Sequence, residues 1–180
     1  MKLRVVVGDH PPLQIERVIE VLDRHAVRYM LIGGVAGLLH GAQRPTLDLD
    51  LLPNSDRENL GRLAAALLEL GAYLRVGGLT DDEARPLPTV VDGKSLEGME
   101  ISTWRTAAGD IDVLHYLRDD LGERLRYDDL TVRSLVIEVV GIDVQLAGLR
   151  DIVASKRFAG RDKDREALPE LERLLAQDPS

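Results

Sequence analysis

Residues 27 to 52, VRYMLIGGVAGLLHGAQRPTLDLDLL, constrain the fold more tightly than any other stretch of the chain. VRYMLI is a compact apolar strand that stops at Gly33-Gly34. VAGLLHG reads as a short helix, and a second strand follows that carries Asp48 and Asp50. Strands avoid aspartate. Because side chains alternate across a strand, the pattern predicts Leu47, Leu49 and Leu51 on one face and Thr46, Asp48 and Asp50 on the other. A solvated strand face would account for the aspartates alone, and a tight turn for the glycines alone. In combination they have a chemical reading. Glycines directly after a strand let backbone N–H groups approach a phosphate, with a helix start behind them. Alternating aspartates offer hard oxygen ligands to Mg²⁺, which shares its coordination shell with substrate phosphates. Two such ions about 3.5–4 Å apart can clamp both the attacking and the leaving oxygen of a phosphoryl displacement.

That chemistry calls for a third carboxylate on a neighbouring strand, as a further ligand and as a base for the attacking hydroxyl. GDIDVLH supplies Asp112, flanked by Ile111 and Val113 as a strand position should be. Asp110 shares its face but is expected in the turn, and is the second choice. Further on, ASKRFAGRDKDR concentrates Lys156, Arg157, Arg161, Lys163 and Arg165 against Asp162 and Asp164. Cations there could neutralise triphosphate charge.

At these residues the sequence resembles the nucleotidyltransferase superfamily with the DNA polymerase β-type fold. Within it, the sequence is similar to the AbiEii-like toxin branch, which includes the mycobacterial nucleotidyltransferase toxins. The shared pattern is Gly33-Gly34-Val35-Ala36, Arg44-x-Thr46-x-Asp48-Leu49-Asp50, a lysine helix at Lys156, and Arg161-x-Lys163-Asp164. The resemblance implies use of an NTP and Mg²⁺, with transfer of a nucleoside monophosphate to an acceptor. In the toxin branch that acceptor is the 3′ end of tRNA, and a cognate antitoxin protein restrains the enzyme. Carried over by motif, Gly33, Gly34, Thr46, Arg161 and Lys163 would bind the nucleotide, and Asp48, Asp50 and Asp112 the metal. Lys156 would contact the triphosphate, and Asp164 would orient that lysine or the nucleotide. The chain is shorter than the larger toxins, with few residues between Lys156 and Asp164 and little protein to grip a tRNA body.

Two alternatives stay open: the same transfer to a small molecule such as an aminoglycoside, and a non-catalytic binding module on the same fold. Thr46 adds a regulatory expectation. A phosphate on it would bring about −1.5 to −2 charges beside two carboxylates and disable the site.

Composition narrows the remaining classes. The chain has no cysteine, which removes disulfides, thiolate metal sites and a cysteine nucleophile. A net charge of −8 argues against a broad nucleic-acid-coating surface, and six aromatic residues are too few for a long base-stacking platform. His10, His25, His40 and His115 show no metal spacing. No G-x-S-x-G elbow, Walker A loop or G-x-G-x-x-G turn is present. No apolar run is long enough to span a membrane, and MKLRVVVGDHPP is too short in apolar residues for a signal peptide, so a cytoplasmic location is expected.

The remaining chain predicts an α/β domain: a mixed sheet flanked by helices with a helical C-terminal part, divided as a 1–145 core and a 146–180 helical segment. Asp9 with Pro11 and Pro12 should open the first helix. Ser55 and Glu58 form a capping box for a helix ending at Gly71. Residues 77–98 read as a long loop. MEISTWRT and DIDVLHYL read as a hairpin, RDDLGERLRYDDL as helical, and LVIEVVGIDVQL as a second hairpin turning at Gly141. Helices finish the chain, the last from about Asp164.

Overall fold

The computed structural model describes residues 11–177. In chain order the elements are α1 (Ile15–Arg24), β1 (Tyr29–Ile32), α2 (Gly33–Leu39), β2 (Asp48–Pro53), α3 (Arg57–Glu69) and β3 (Tyr73–Leu74). There follow α4 (Asp81–Ala84), α5 (Gly93–Glu97), β4 (Ile101–Thr106), β5 (Gly109–Leu114), β6 (Leu117–Arg118) and β7 (Arg124–Leu125). The chain ends with α6 (Tyr127–Thr131), β8 (Leu135–Val139), β9 (Ile142–Leu146), α7 (Leu149–Ala159) and α8 (Asp162–Gln177).

Seven strands form one mixed sheet in the order β3-β4-β5-β2-β1-β9-β8, and β6 with β7 makes a separate ribbon. β2 runs antiparallel to β1 and parallel to β5, while β9 returns late in the chain to pair in parallel with β1. Helices flank the sheet in two groups: α1 against α3 with α5 beside it, and α2, α7 and α8 together. Leu49 and Leu51 are fully buried, as are Leu60, Leu63 and Leu67 of α3. Each such leucine contributes about 1.5–3 kcal/mol of burial. Leu47 departs from the expected alternation: it precedes β2 and is exposed.

Several local expectations are revised. The Asp9 cap lies outside the described residues. Pro11 and Pro12 stand before α1 rather than opening it, because Leu13 is buried and the Gln14 N–H donates to Ala108 O (2.8 Å), holding the segment against the β4–β5 turn. The cap of α3 is Asp56, whose Oδ1 accepts from Asn59 N at 2.7 Å, and not Ser55. Residues 77–98 hold two short helices. Glu83 accepts from Thr80 N and Oγ1 at the start of α4, Asp92 accepts from Ser95 N at the start of α5, and Ala84 and Leu96 anchor them by burial. RDDLGERL is the β6–β7 ribbon, not helix. Asp119 Oδ1 accepts from the N–H groups of Leu121 and Glu123, and Gly122 takes a φ of 83°, so turn chemistry overrides the charge pattern. The β8–β9 hairpin turns as expected at Gly141, with Val140 and Gly141 both at positive φ. No helix among the described residues is long and apolar enough to cross a membrane.

Candidate active site

The α1/α3 side of β2 is apolar, so Asp48 and Asp50 turn to the side covered by α2, α7 and α8. There they line a cleft of about 280 Å³ together with Gly33, Gly34, Thr46, Lys156, Arg161, Lys163 and Asp164. Nine of the ten sequence candidates therefore meet in one place. The tenth, Asp112, is not among the cleft-lining residues. It lies in lateral register with Asp50 across the β2–β5 pair, one strand further over.

The glycine pair is required sterically. Gly33 has φ +65° and a Cβ there would sit 1.9 Å from Asp50 Oδ2, while a Cβ on Gly34 would sit 2.5 Å from Thr46 Oγ1. The Gly34 N–H donates to Asp50 Oδ2 at 3.3 Å, so the start of α2 already faces a negative charge. Thr46 donates to Asp48 Oδ1 at 3.0 Å and thereby joins the carboxylate group.

Burial, followed by the charges of Asp48 and Asp112, pushes the Asp50 pKa up to about 7 against the pull of Gly34 N–H and Lys163. Burial also raises Asp112, a hydrogen bond from Thr103 opposing it and Asp48 adding to it. These carboxylates are crowded and short of counter-charge. Among the described residues no three His, Cys, Asp or Glu side chains converge into a closed metal cage. The donor set still suits Mg²⁺, which takes one or two carboxylates and completes its shell with water and substrate phosphate. Asp112 Oδ1 is buried without a hydrogen-bond partner, an oxygen that a cation would satisfy.

Asp110 has another occupation. It is buried, accepts from Arg105 Nε at 2.6 Å and from Arg75 at 3.2 Å, and Arg105 also pairs with Asp81 of α4. Of the two carboxylates on β5, Asp112 is the one without an arginine bound to it.

Across the cleft, α7 ends at Gly160 in the left-handed conformation and α8 begins two residues later. This joint brings Lys156 and Arg161 onto one carboxylate. Asp164, fully buried, accepts from Lys156 Nζ at 3.2 Å and from Arg161 Nε at 2.6 Å. Burial alone would raise its pKa; the two cationic donors outweigh burial and hold it low. Asp164 thus lies inside the first turn of α8 rather than capping it. Arg161 is more than half exposed, leaving much of its guanidinium to the solvent at the cleft.

Arg44, which the shared pattern names without a role, and Ser155 and Glu170, which the candidate set omitted, also line the cleft. Arg44 pairs with Glu166 (2.5 Å) and Gln43 N donates to Glu170 (2.9 Å), pinning the 41–47 loop to α8. No signal within β2 or α8 announces these pairs, since each joins residues more than a hundred positions apart. The described histidines stay out of the site: His25 meets Glu69, His40 meets Ala147 O and His115 meets Ser55.

No protein-family model matches the sequence, and no curated protein matches it. Solved structures do. A candidate nucleotidyltransferase from Thermotoga maritima superposes with a TM-score of 0.52 at 13% identity, covering 88% of this chain and 90% of that one. ANT(2″)-Ia, in complex with adenylyl-2″-tobramycin, gives 0.51 at 15% identity over 91% and 93%. An antigenic nucleotidyltransferase-like protein from Paracoccidioides brasiliensis gives 0.51 at 16% identity over 91% and 74%. The mixed seven-stranded sheet, its flanking helices and its C-terminal helix pair are therefore a nucleotidyltransferase-like fold.

Proposed function

We propose that the chain is an NTP- and Mg²⁺-dependent nucleotidyltransferase that moves a nucleoside monophosphate onto the 3′ end of tRNA, acting as the toxin of a toxin–antitoxin pair. The observation that carries the transfer chemistry is the opposed arrangement in the cleft. Carboxylates and a glycine pair stand on one wall, and Lys156 and Arg161, held by buried Asp164, on the other.

Asp48, Asp50 and Asp112 would hold the metal, which when bound supplies charge neutralisation at the phosphates and polarisation of the reacting oxygens. Lys156, Arg161 and Lys163 bind the β- and γ-phosphates. Gly33 and Gly34 let Asp50 and Thr46 pack against the start of α2, where a phosphate would bind. Asp112, its proton affinity raised by burial, accepts the proton of the acceptor hydroxyl. The hydroxyl oxygen bonds to the α-phosphorus, the bond to the β-phosphate oxygen breaks, and pyrophosphate leaves toward the cationic wall.

The tRNA acceptor is supported by the exposed cations Arg161 and Lys163 at the cleft and by the motif resemblance. A second reading, transfer to an aminoglycoside hydroxyl, is favoured by the fold match extending over 93% of ANT(2″)-Ia and by the crowding of carboxylates, which would attract a polycation. Incubation with Mg²⁺, each labelled NTP, and total tRNA or tobramycin separates them, with Asp48→Ala as control. Label on tRNA that disappears in the variant supports the first reading, and label on tobramycin the second. Absence of both, together with absence of NTP binding, removes the enzymatic reading and leaves a binding module.

A further inference from the structure

The two edges of the sheet are built differently. β3, at one end, is two residues long and is followed at once by Arg75. β8, at the other end, is a five-residue strand, Leu-Val-Ile-Glu-Val, and among the described residues only β9 pairs with it. It has none of the usual protections of an edge: no proline, no lysine, no bulge in its register, and Glu138 as its one charge. The apolar residues around it are unusually open, with Val132 84%, Val136 63%, Val140 49% and Leu135 48% exposed.

Val140 adds an independent observation. It occupies the hairpin turn at φ 48°, a conformation that a β-branched residue adopts only at a cost and that asparagine or glycine would take freely. A strained valine on an exposed tip is wasteful unless its side chain meets something.

We propose that β8 pairs edge to edge with β8 of a second copy of this chain, antiparallel about Ile137, continuing the sheet across a two-fold axis. The sequence is self-complementary in that register. Leu135 falls opposite Val139, and Val136 opposite Glu138, so the two glutamates never face each other. Val140, at the tip of one hairpin, falls opposite Ser134 of the other copy, at the end of the strand where Val132 is exposed. Cross-strand pairs are the unit of sheet stability, and like charges placed directly opposite destabilise it.

The register can be tested with one exposed position. Wild type should sediment as a dimer at tens of micromolar, twice the 19.9 kDa chain mass. Val136→Glu places glutamate opposite Glu138 twice and should weaken the dimer at least tenfold. Val136→Lys places lysine opposite Glu138 and should keep or tighten it. Circular dichroism and thermal melts confirm that both variants fold, as an exposed edge residue should allow. A monomeric wild type overturns the proposal and leaves the edge to a strand of another origin. A dimer insensitive to both substitutions, or lost equally in both, overturns it as well.

Discussion

Asp50 of β2 and Asp112 of β5 occupy the same lateral position in a parallel register, two acids on adjacent strands with Asp48 one step along the same face. Parallel pairing brings them together even though they are distant in sequence, and burial keeps water from separating their charges. The consequence is a preference for the protonated form at Asp50, which reaches about 7.

That preference predicts how the metal-free protein responds to pH. In the unfolded chain Asp50 returns to about 3.8, so the folded state binds its proton more tightly. The resulting stabilisation is complete below about pH 4 and is lost as pH rises toward 7, on the order of 2–4 kcal/mol. In EDTA, wild type should melt several degrees lower at pH 8 than at pH 5.5, and Asp50→Asn should flatten that difference. Mg²⁺ at pH 8 should restore wild type and help the variant much less.

The two carboxylates of β5 should separate cleanly by mutation. On the proposed mechanism Asp112→Ala removes the proton acceptor and should lower transfer by 10²-fold or more without loss of thermal stability. Asp110→Ala instead removes the buried carboxylate that Arg105 Nε and Arg75 bind, leaving Arg105 to Asp81, and should cost about 3 kcal/mol, with transfer per folded molecule within a few-fold of wild type. Melting curves paired with initial rates distinguish the two; the reverse pattern would make Asp110 the reacting group.

Gly34→Ala should abolish NTP binding, because its Cβ would sit 2.5 Å from Thr46 Oγ1, while Gly41→Ala, whose Cβ meets Leu174 at 3.7 Å, serves as a glycine control outside the carboxylate wall. Gly41 has φ +104°, so its variant should lose about 1–2 kcal/mol of stability yet bind nucleotide normally. Equilibrium titration with a fluorescent NTP analogue reads both.

Thr46 donates to Asp48, so a negative group there would stand against the carboxylates. Thr46→Glu should lose at least 10²-fold in activity, and Thr46→Val far less. Full activity in the glutamate variant would remove phosphorylation of this residue as a control mechanism.

The site was more legible than the connecting segments, for a physical reason. Asp48 and Asp50 conflict with strand propensity, and Gly33-Gly34 interrupts an apolar run, so both stand out against their surroundings. For Asp164 the sequence offered only a role implied by resemblance, because spacing carries no measure of burial; the α7–α8 packing makes it the anchor of two cations. The sequence ranked Asp112 above Asp110 by expecting Asp110 in the turn; Asp110 lies within β5 instead, and it is Arg75, just after β3, and Arg105 of β4 that occupy it. The capping signals Thr80–Glu83 and Asp92–Ser95 were present within 77–98 but were masked by glycine and proline. The β6–β7 ribbon was missed because its Asp119–Gly122 turn sits inside a charge pattern that suits a helix equally well.

The cleft draws its acidic wall from residues 33–50 and its cationic wall from 156–164, and the sheet itself is incomplete until β9 docks beside β1. A polypeptide growing from its N-terminus therefore carries Asp48, Asp50 and Asp112 before the first opposing lysine, Lys156, has been synthesised. On the proposed reading, competence to bind a triphosphate waits for the 156–164 segment and for β9 to dock beside β1, so a nascent chain lacks the complete cleft through most of its translation.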